Sequence, residues 1–236
     1  MTDNTYTFET MKLTDIAGKQ VWVYQRTVRP EWVIIQPVDD HDLQGLDEEV
    51  TWLSNHSTAT FTLVAFRICD CNTELSPWKV PAVFGREDFG DGAAKTLCYV
   101  LDELVSRFKG NRYCLGGYSL AGLFALWSGY QTDVFSSIVG ASPSVWFLNW
   151  IKFAESHQAK ANRVYLSLGD KEPKTKNPVM ARVGECIERM HGLLDCDKLM
   201  EWNEGNHFKD NALRTAKGLS RVLSPCFCSP PTSWCL

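Results

Sequence analysis

The chain switches repeatedly between two hydrophobic periods. Residues 31–37, 60–68, 113–118, 134–140 and 163–168 are short runs in which most positions are apolar, the pattern of strands buried on both faces. Between them lie longer stretches whose apolar residues recur three and four apart. Residues 93–108 place Leu97, Leu101, Leu104, Val105 and Phe108 on one side, with Gly110 as a stop. Residues 179–194 do the same with Met180, Val183, Ile187, Met190 and Leu194. The pattern predicts further helices over 46–55, 119–130, 145–157 and 211–223, and a last strand over 199–203. Such alternation predicts an α/β protein with a mostly parallel central sheet of about eight strands and helices on both faces. Only the start departs from it: residues 6–13 and 20–27 alternate around Asp15-Ile16-Ala17-Gly18, which predicts an antiparallel hairpin at one edge.

Residues 71–92 follow neither period and read as a long loop, a length that in a compact domain usually serves function. At 236 residues the chain suits one domain, expected over 1–223, followed by a tail over 224–236 rich in Pro, Ser and Cys. A net charge of -4 argues against a nucleic-acid partner, which requires a concentrated basic surface. No apolar run approaches the roughly 18 residues of a membrane span, and residues 1–5 have neither a basic nor an apolar leader character, so no membrane partner and a cytoplasmic location are expected. Nine cysteines are scattered, with Cys98, Cys114 and Cys186 inside expected elements, which favours reduced thiols. The pairs Cys69/Cys71 and Cys226/Cys228 are spaced too closely for the usual zinc pattern, and no metal or other cofactor is expected.

The chemistry gathers around residues 113–122, Tyr-Cys-Leu-Gly-Gly-Tyr-Ser-Leu-Ala-Gly, which read as a strand turning sharply into a helix with Ser119 at the bend. A nucleophile elbow needs small residues two before and two after the nucleophile, because strand and helix nearly touch there. Gly117 and Ala121 hold those positions, with Gly116 and Gly122 just outside. A helix-capping serine is the plainer alternative. In a parallel sheet, however, reactive groups collect at the carboxyl ends of strands. His207 follows the last expected strand in such a setting, within Asn-Glu-Gly-Asn-His-Phe, whereas His41 comes too early in the chain. The loop after the strand at 163–168, Gly-Asp-Lys-Glu-Pro-Lys, offers Asp170 and Glu172. Serine, acid and histidine then follow in the order used by α/β-hydrolases. Spacing alone does not choose between the two acids.

The segments Gly-Tyr-Ser-Leu-Ala-Gly, Leu-Gly-Asp-Lys-Glu and Gly-Asn-His-Phe with Arg214 beyond it, together with the Phe-Gly-x-x-Asp-Phe-Gly-Asp-Gly loop and Ser-Pro-Ser-x-Trp, resemble an esterase family of α/β-hydrolases. That family includes enterochelin (siderophore) esterases, S-formylglutathione hydrolases, feruloyl esterases and mycolyltransferases, and the resemblance runs over about residues 5–223. It implies an α/β-hydrolase fold and a serine triad. The family's acid stands three residues after the loop glycine, which points to Glu172 as the acid with Asp170 as the alternative. The expected reaction is hydrolysis of a small-molecule carboxylic ester through an acyl-enzyme. An acyltransferase or thioesterase would use the same triad, and a non-catalytic binding protein would share only the fold. Elbow geometry assigns one oxyanion donor to the Leu120 backbone N–H. The second is expected near Val38 or Asp39, without a His-Gly-Gly-Gly motif to mark it. Tyr118, Trp78, Phe84, Phe89 and Trp146 are candidates to line a substrate cleft, with core packing as the equal alternative for each.

Overall fold

The computed structural model describes residues 11–25 and 27–227. Its elements are β1 (Lys12–Ile16), β2 (Lys19–Gln25), β3 (Trp32–Val38), α1 (Asp40–His56), β4 (Phe61–Arg67), a short α2 (Cys71–Glu74), α3 (Ala93–Tyr99), β5 (Arg112–Tyr118), α4 (Ser119–Gln131), β6 (Ser137–Ala141), α5 (Trp150–Ser156), β7 (Arg163–Gly169), α6 (Val183–Leu193), β8 (Asp197–Asn203) and α7 (Asn211–Leu223). The eight strands form one sheet in the order β1-β2-β4-β3-β5-β6-β7-β8. β1 pairs antiparallel with β2 and β2 with β4; every other pairing is parallel. This order and these directions are those of the α/β-hydrolase fold.

The apolar runs have a direct explanation in the layers. Along β3, Val33 and Ile35 join one core, while Trp32, Ile34 and Val38 join the other. α1 and α7 cover the second core through Leu46, Val50, Leu53, Leu219 and Val222. The opposite face is packed by α3 to α6 through Leu97, Phe124, Trp150, Ile187 and others. A strand buried on both sides cannot alternate with polar residues, so β3 reads as a continuous apolar run. α4 is buried along almost its whole length and therefore shows no amphipathic stripe. No helix among the described residues is long and apolar enough to cross a membrane.

Several boundaries differ from the sequence-based expectation. The first strand was expected over 6–13, but β1 begins at Lys12 and pairs Ile16 with Lys19, so only Ala17 and Gly18 form the turn. Their φ angles of 49° and 80° match the two-residue turn that follows the twist of the flanking strands and so sets the register. Residues 6–10 of the expected strand lie outside the described residues, as does the end of the tail beyond 227. Phe227 itself is buried, 5.6 Å beneath the Arg163 guanidinium. α1 starts at Asp40 rather than at 46 because Asp39 caps it, accepting from the N–H groups of His41 and Asp42 while Asp42 reaches back to the Asp39 N–H. The apolar period begins later than the cap, which is why periodicity alone placed the start too late. The helix expected over 145–157 begins only at Trp150, after Asn149 adopts a left-handed φ of 65°. The helix expected over 93–108 changes from α to π winding at Val100–Val105.

Candidate active site

Ser119 is the first residue of α4 and has a φ of 55°, in the left-handed region. For a residue with a side chain that conformation costs about 1–2 kcal/mol, so the surroundings must impose it. They do so by close approach. A Cβ on Gly117 would lie 2.6 Å from Ala121 Cβ, and one on Gly122 would lie 3.0 Å from the Gly117 carbonyl oxygen and 3.1 Å from Pro143 Cβ. The Ser144 N–H donates to the Ser119 carbonyl at 3.0 Å and ties the elbow to the loop after β6. The sharp turn carries the Ser119 hydroxyl above the sheet, toward the loops that follow β7 and β8.

Those loops bring the other two candidates to it. His207 Nε2 lies 2.9 Å from Ser119 Oγ, and His207 Nδ1 lies 2.7 Å from Glu172 Oε2. Glu172 is 6% exposed. Burial alone would push its carboxyl up, but hydrogen bonds from His207, Ser142 and the Gly169 N–H outweigh it and hold the carboxyl below its ordinary value. An ionised carboxylate only accepts, so Nδ1 must donate to it, which leaves Nε2 as the acceptor for the Ser119 hydroxyl. The second oxygen of Glu172 is held by three donors: Ser142 Oγ at 2.7 Å, Gly169 N–H at 2.7 Å and Arg214 Nη1 at 3.0 Å. Arg214 is 1% exposed and also donates to Tyr118 Oη, Ser142 Oγ and the Glu204 carbonyl. A buried carboxylate aimed by a buried guanidinium has little freedom to rotate away from the histidine.

Asp170 points elsewhere. It is exposed, and its Oδ1 accepts the Gly205 N–H at 2.7 Å, the main cause of a carboxyl held below its ordinary value. With the Lys171 N–H to Gly205 carbonyl bond, and Tyr118 Oη donating to the His207 carbonyl at 2.9 Å, it stitches the histidine loop to its neighbours. Gly205 meets this at a φ of 108°, where any Cβ would also run into Lys209.

Two cavities flank the serine and the histidine. One, of about 240 Å³, is bordered by Ser119, Leu120, Val38, Asp39, Tyr118 and Phe84. Both positions expected to supply a second oxyanion donor therefore face it, but the Asp39 N–H is directed at the Asp42 carboxylate, 3.5 Å away. The other, of about 320 Å³, lies beyond His207 between Trp146, Met180 and Val183, with Lys171, Lys174 and Lys176 at its edge. Trp78 and Phe89 border neither of these cavities. Trp78 donates its indole N–H to the Leu148 carbonyl and packs against Phe147 and Phe153, while Phe89 is buried between Phe84, Trp146 and Phe147. Residue pattern does not single out Ser142 as a partner of the acid, since its φ of 43° at the end of β6 is a property of the fold rather than of residue type.

The α/β-hydrolase fold, with a serine at the elbow after β5, a carboxylate after β7 and a histidine after β8, defines the class of architecture. No protein-family model matches the sequence, and no curated protein matches it. Solved structures do resemble it. An IroE-like serine hydrolase from Shewanella oneidensis superposes with a TM-score of 0.76 at 12% identity, covering 91% of this chain and 80% of the other. The siderophore hydrolase EstA from Aspergillus nidulans gives 0.67 at 17% identity, covering 90% and 94%. An enterochelin esterase from Shigella flexneri gives 0.67 at 16% identity, covering 92% of this chain and 59% of that one.

Proposed function

We propose that this protein is a serine esterase that cleaves a small-molecule carboxylic ester through an acyl-enzyme. Ser119 is the nucleophile, His207 the general base and then acid, and Glu172 the group that orients the imidazole and balances its charge. The observation that carries the reading is the relay Glu172–His207–Ser119, with spacings of 2.7 and 2.9 Å, ending on a serine held in a strained elbow. His207 takes the hydroxyl proton as Ser119 Oγ bonds to the carbonyl carbon. The tetrahedral oxyanion is met by the Leu120 N–H at the start of α4, with the positive end of that helix behind it. The second donor is assigned to the Val38–Asp39 junction, where the Asp39 N–H would have to leave its long 3.5 Å contact with the Asp42 carboxylate. Collapse expels the alcohol, protonated by His207, and water reverses the sequence to free the acid. Because a siderophore hydrolase and an enterochelin esterase are among the structural neighbours, siderophore esters belong beside simple acyl esters in the substrate panel.

The test is covalent and kinetic. A fluorophosphonate probe should label Ser119 stoichiometrically, and Ser119→Ala should lose both labelling and p-nitrophenyl ester turnover, by several orders of magnitude, while its melting temperature holds level or rises. Retained turnover in Ser119→Ala removes the assignment.

A further inference from the structure

A third cavity, of about 320 Å³, opens beside the serine cavity, between the first turns of α1 and the start of α7. It shares His41, Asp42, Phe208 and Asn211 with the serine cavity, so the two adjoin. Its chemistry is one-sided. Asp42, Glu48, Glu49 and Asp210 border it, with His41 the one basic side chain beside them and no lysine or arginine, and none of these four carboxylates forms an ion pair among the described residues.

Two of its side chains are built in rather than displayed. Glu49 and Gln36 are each 3% exposed, and although Gln36 Nε2 donates to Glu49 Oε2 at 3.3 Å, the Oε1 atom of each has no hydrogen-bond partner. Asn211 Oδ1 is also buried without a partner. Buried acceptors left unmatched are uncommon, and each costs free energy that a donor in the cavity would return once the side chain turns toward it. All three belong to residues that border the same space.

The start of α1 and the start of α7 bring positive helix ends to this cavity, which taken alone would favour an anion. Two such ends amount to about one elementary charge, against Asp42, Glu48 and Asp210, joined by Glu49 only above its value of about 8, so the balance favours a cation. A metal is a poor match, since no three His, Cys, Asp or Glu residues among those described stand close enough together to hold one. An organic ammonium or guanidinium needs only acceptors spread over a wall, as Gln36, Glu49 and Asn211 provide. We infer that this cavity is a cation subsite of the active centre, which takes an ammonium or guanidinium group on one arm of the ester substrate while the ester bond lies at Ser119. The inference rests on the esterase reading for its substrate, but the binding of the cation stands apart from turnover.

Two measurements separate them. The first is calorimetry with n-butylammonium, and with n-butanol as neutral comparison, at about pH 8.5. That lies above the Glu49 value of about 8 and below the ordinary ammonium range near 10.4. The ammonium should bind and the alcohol should not, with affinity falling about tenfold in Glu49→Gln and less in Glu48→Gln, as expected for a charge-assisted bond and a rim charge. The second compares kcat/KM for the p-nitrophenyl esters of ω-aminohexanoic acid and of the isosteric heptanoic acid. The wild-type ratio should favour the amino ester by about tenfold and approach unity in Glu49→Gln. Absent ammonium binding, or binding equal in wild type and Glu49→Gln, overturns the subsite. If ammonium binds with the expected dependence but neither these esters nor any others are turned over, the subsite stands and the esterase reading falls.

Discussion

At the scale of single residues, the choice between two carboxylates two residues apart comes down to where each oxygen points. Glu172 lies 2.7 Å from the histidine and is anchored through its other oxygen, whereas Asp170 is exposed and bonds to the Gly205 backbone. Glu172→Gln should therefore lower kcat by roughly 10²–10⁴-fold with little change in KM, since the loss is confined to orienting and charging the imidazole. Asp170→Asn keeps an oxygen for the Gly205 N–H and should cost less than about tenfold. Steady-state kinetics on the two variants decide the matter, and a reversal of the two effects would exchange the roles. The sequence narrowed the acid to this pair by strand-end logic alone. Choosing between them needed either a family resemblance or the direction of the side chains, because the chain leaves the extended path of β7 between them and enters a 3-10 turn at Glu172.

At the scale of elements, the junction of β5 and α4 decides whether Ser119 is displayed at all. The helix approaches the strand so closely that an extra methyl at Gly117 would lie 2.6 Å from Ala121 Cβ and 2.8 Å from the Ala121 carbonyl carbon. Neither is the free end of a flexible side chain, so the helix would have to shift. Gly117→Ala should cost about 1–3 kcal/mol, the usual penalty for overpacking, and should reduce fluorophosphonate labelling more than the lost stability explains. Chemical denaturation and labelling rate measured on the same preparation test both parts; a variant with wild-type values for each would show that the contact relaxes without cost. This junction was legible in the sequence because steric demand at an elbow falls on residue size, which the sequence states directly. The start of α1 was legible in principle through Asp39 and Asp42, yet a reading led by apolar period overlooked it.

At the scale of the whole molecule, stability should carry the imprint of the buried pair Gln36 and Glu49. Desolvation raises the Glu49 carboxyl from 4.5 to about 8, partly opposed by the Gln36 hydrogen bond. The folded protein then keeps a proton that the unfolded chain has already released, so the contribution of this group is complete below about pH 4.5 and declines as pH rises toward 8. Asp42, raised to about 6 mainly by burial, acts in the same direction over the lower part of that range. Glu172, held low, acts in the opposite sense and only below its ordinary value of 4.5. Stability should accordingly fall between about pH 6 and 8 by at most about 1.4 kcal/mol per unit, and Glu49→Gln, which resembles the protonated acid, should flatten that slope. Thermal unfolding at several pH values measures it; an unchanged slope in Glu49→Gln would assign the dependence to other groups.

What the amino-acid sequence determined by itself is whatever depends on local pattern and residue size. The strand and helix succession follows from hydrophobic period, the parallel sheet from their alternation, and the elbow from small residues around Ser119. The order of serine, acid and histidine along the chain is likewise written in it. Tertiary structure decided what depends on direction and on neighbours distant in sequence. It set Glu172 rather than Asp170 against His207, brought Arg214 from α7 beneath the acid, and turned Trp78 and Phe89 into packing. It also placed a glutamine from the apolar run of β3 against a glutamate of α1 at the wall of an acidic cavity. A period shows which face of an element is buried, but only the packed neighbours determine whether a polar side chain on that face meets a partner or an empty space.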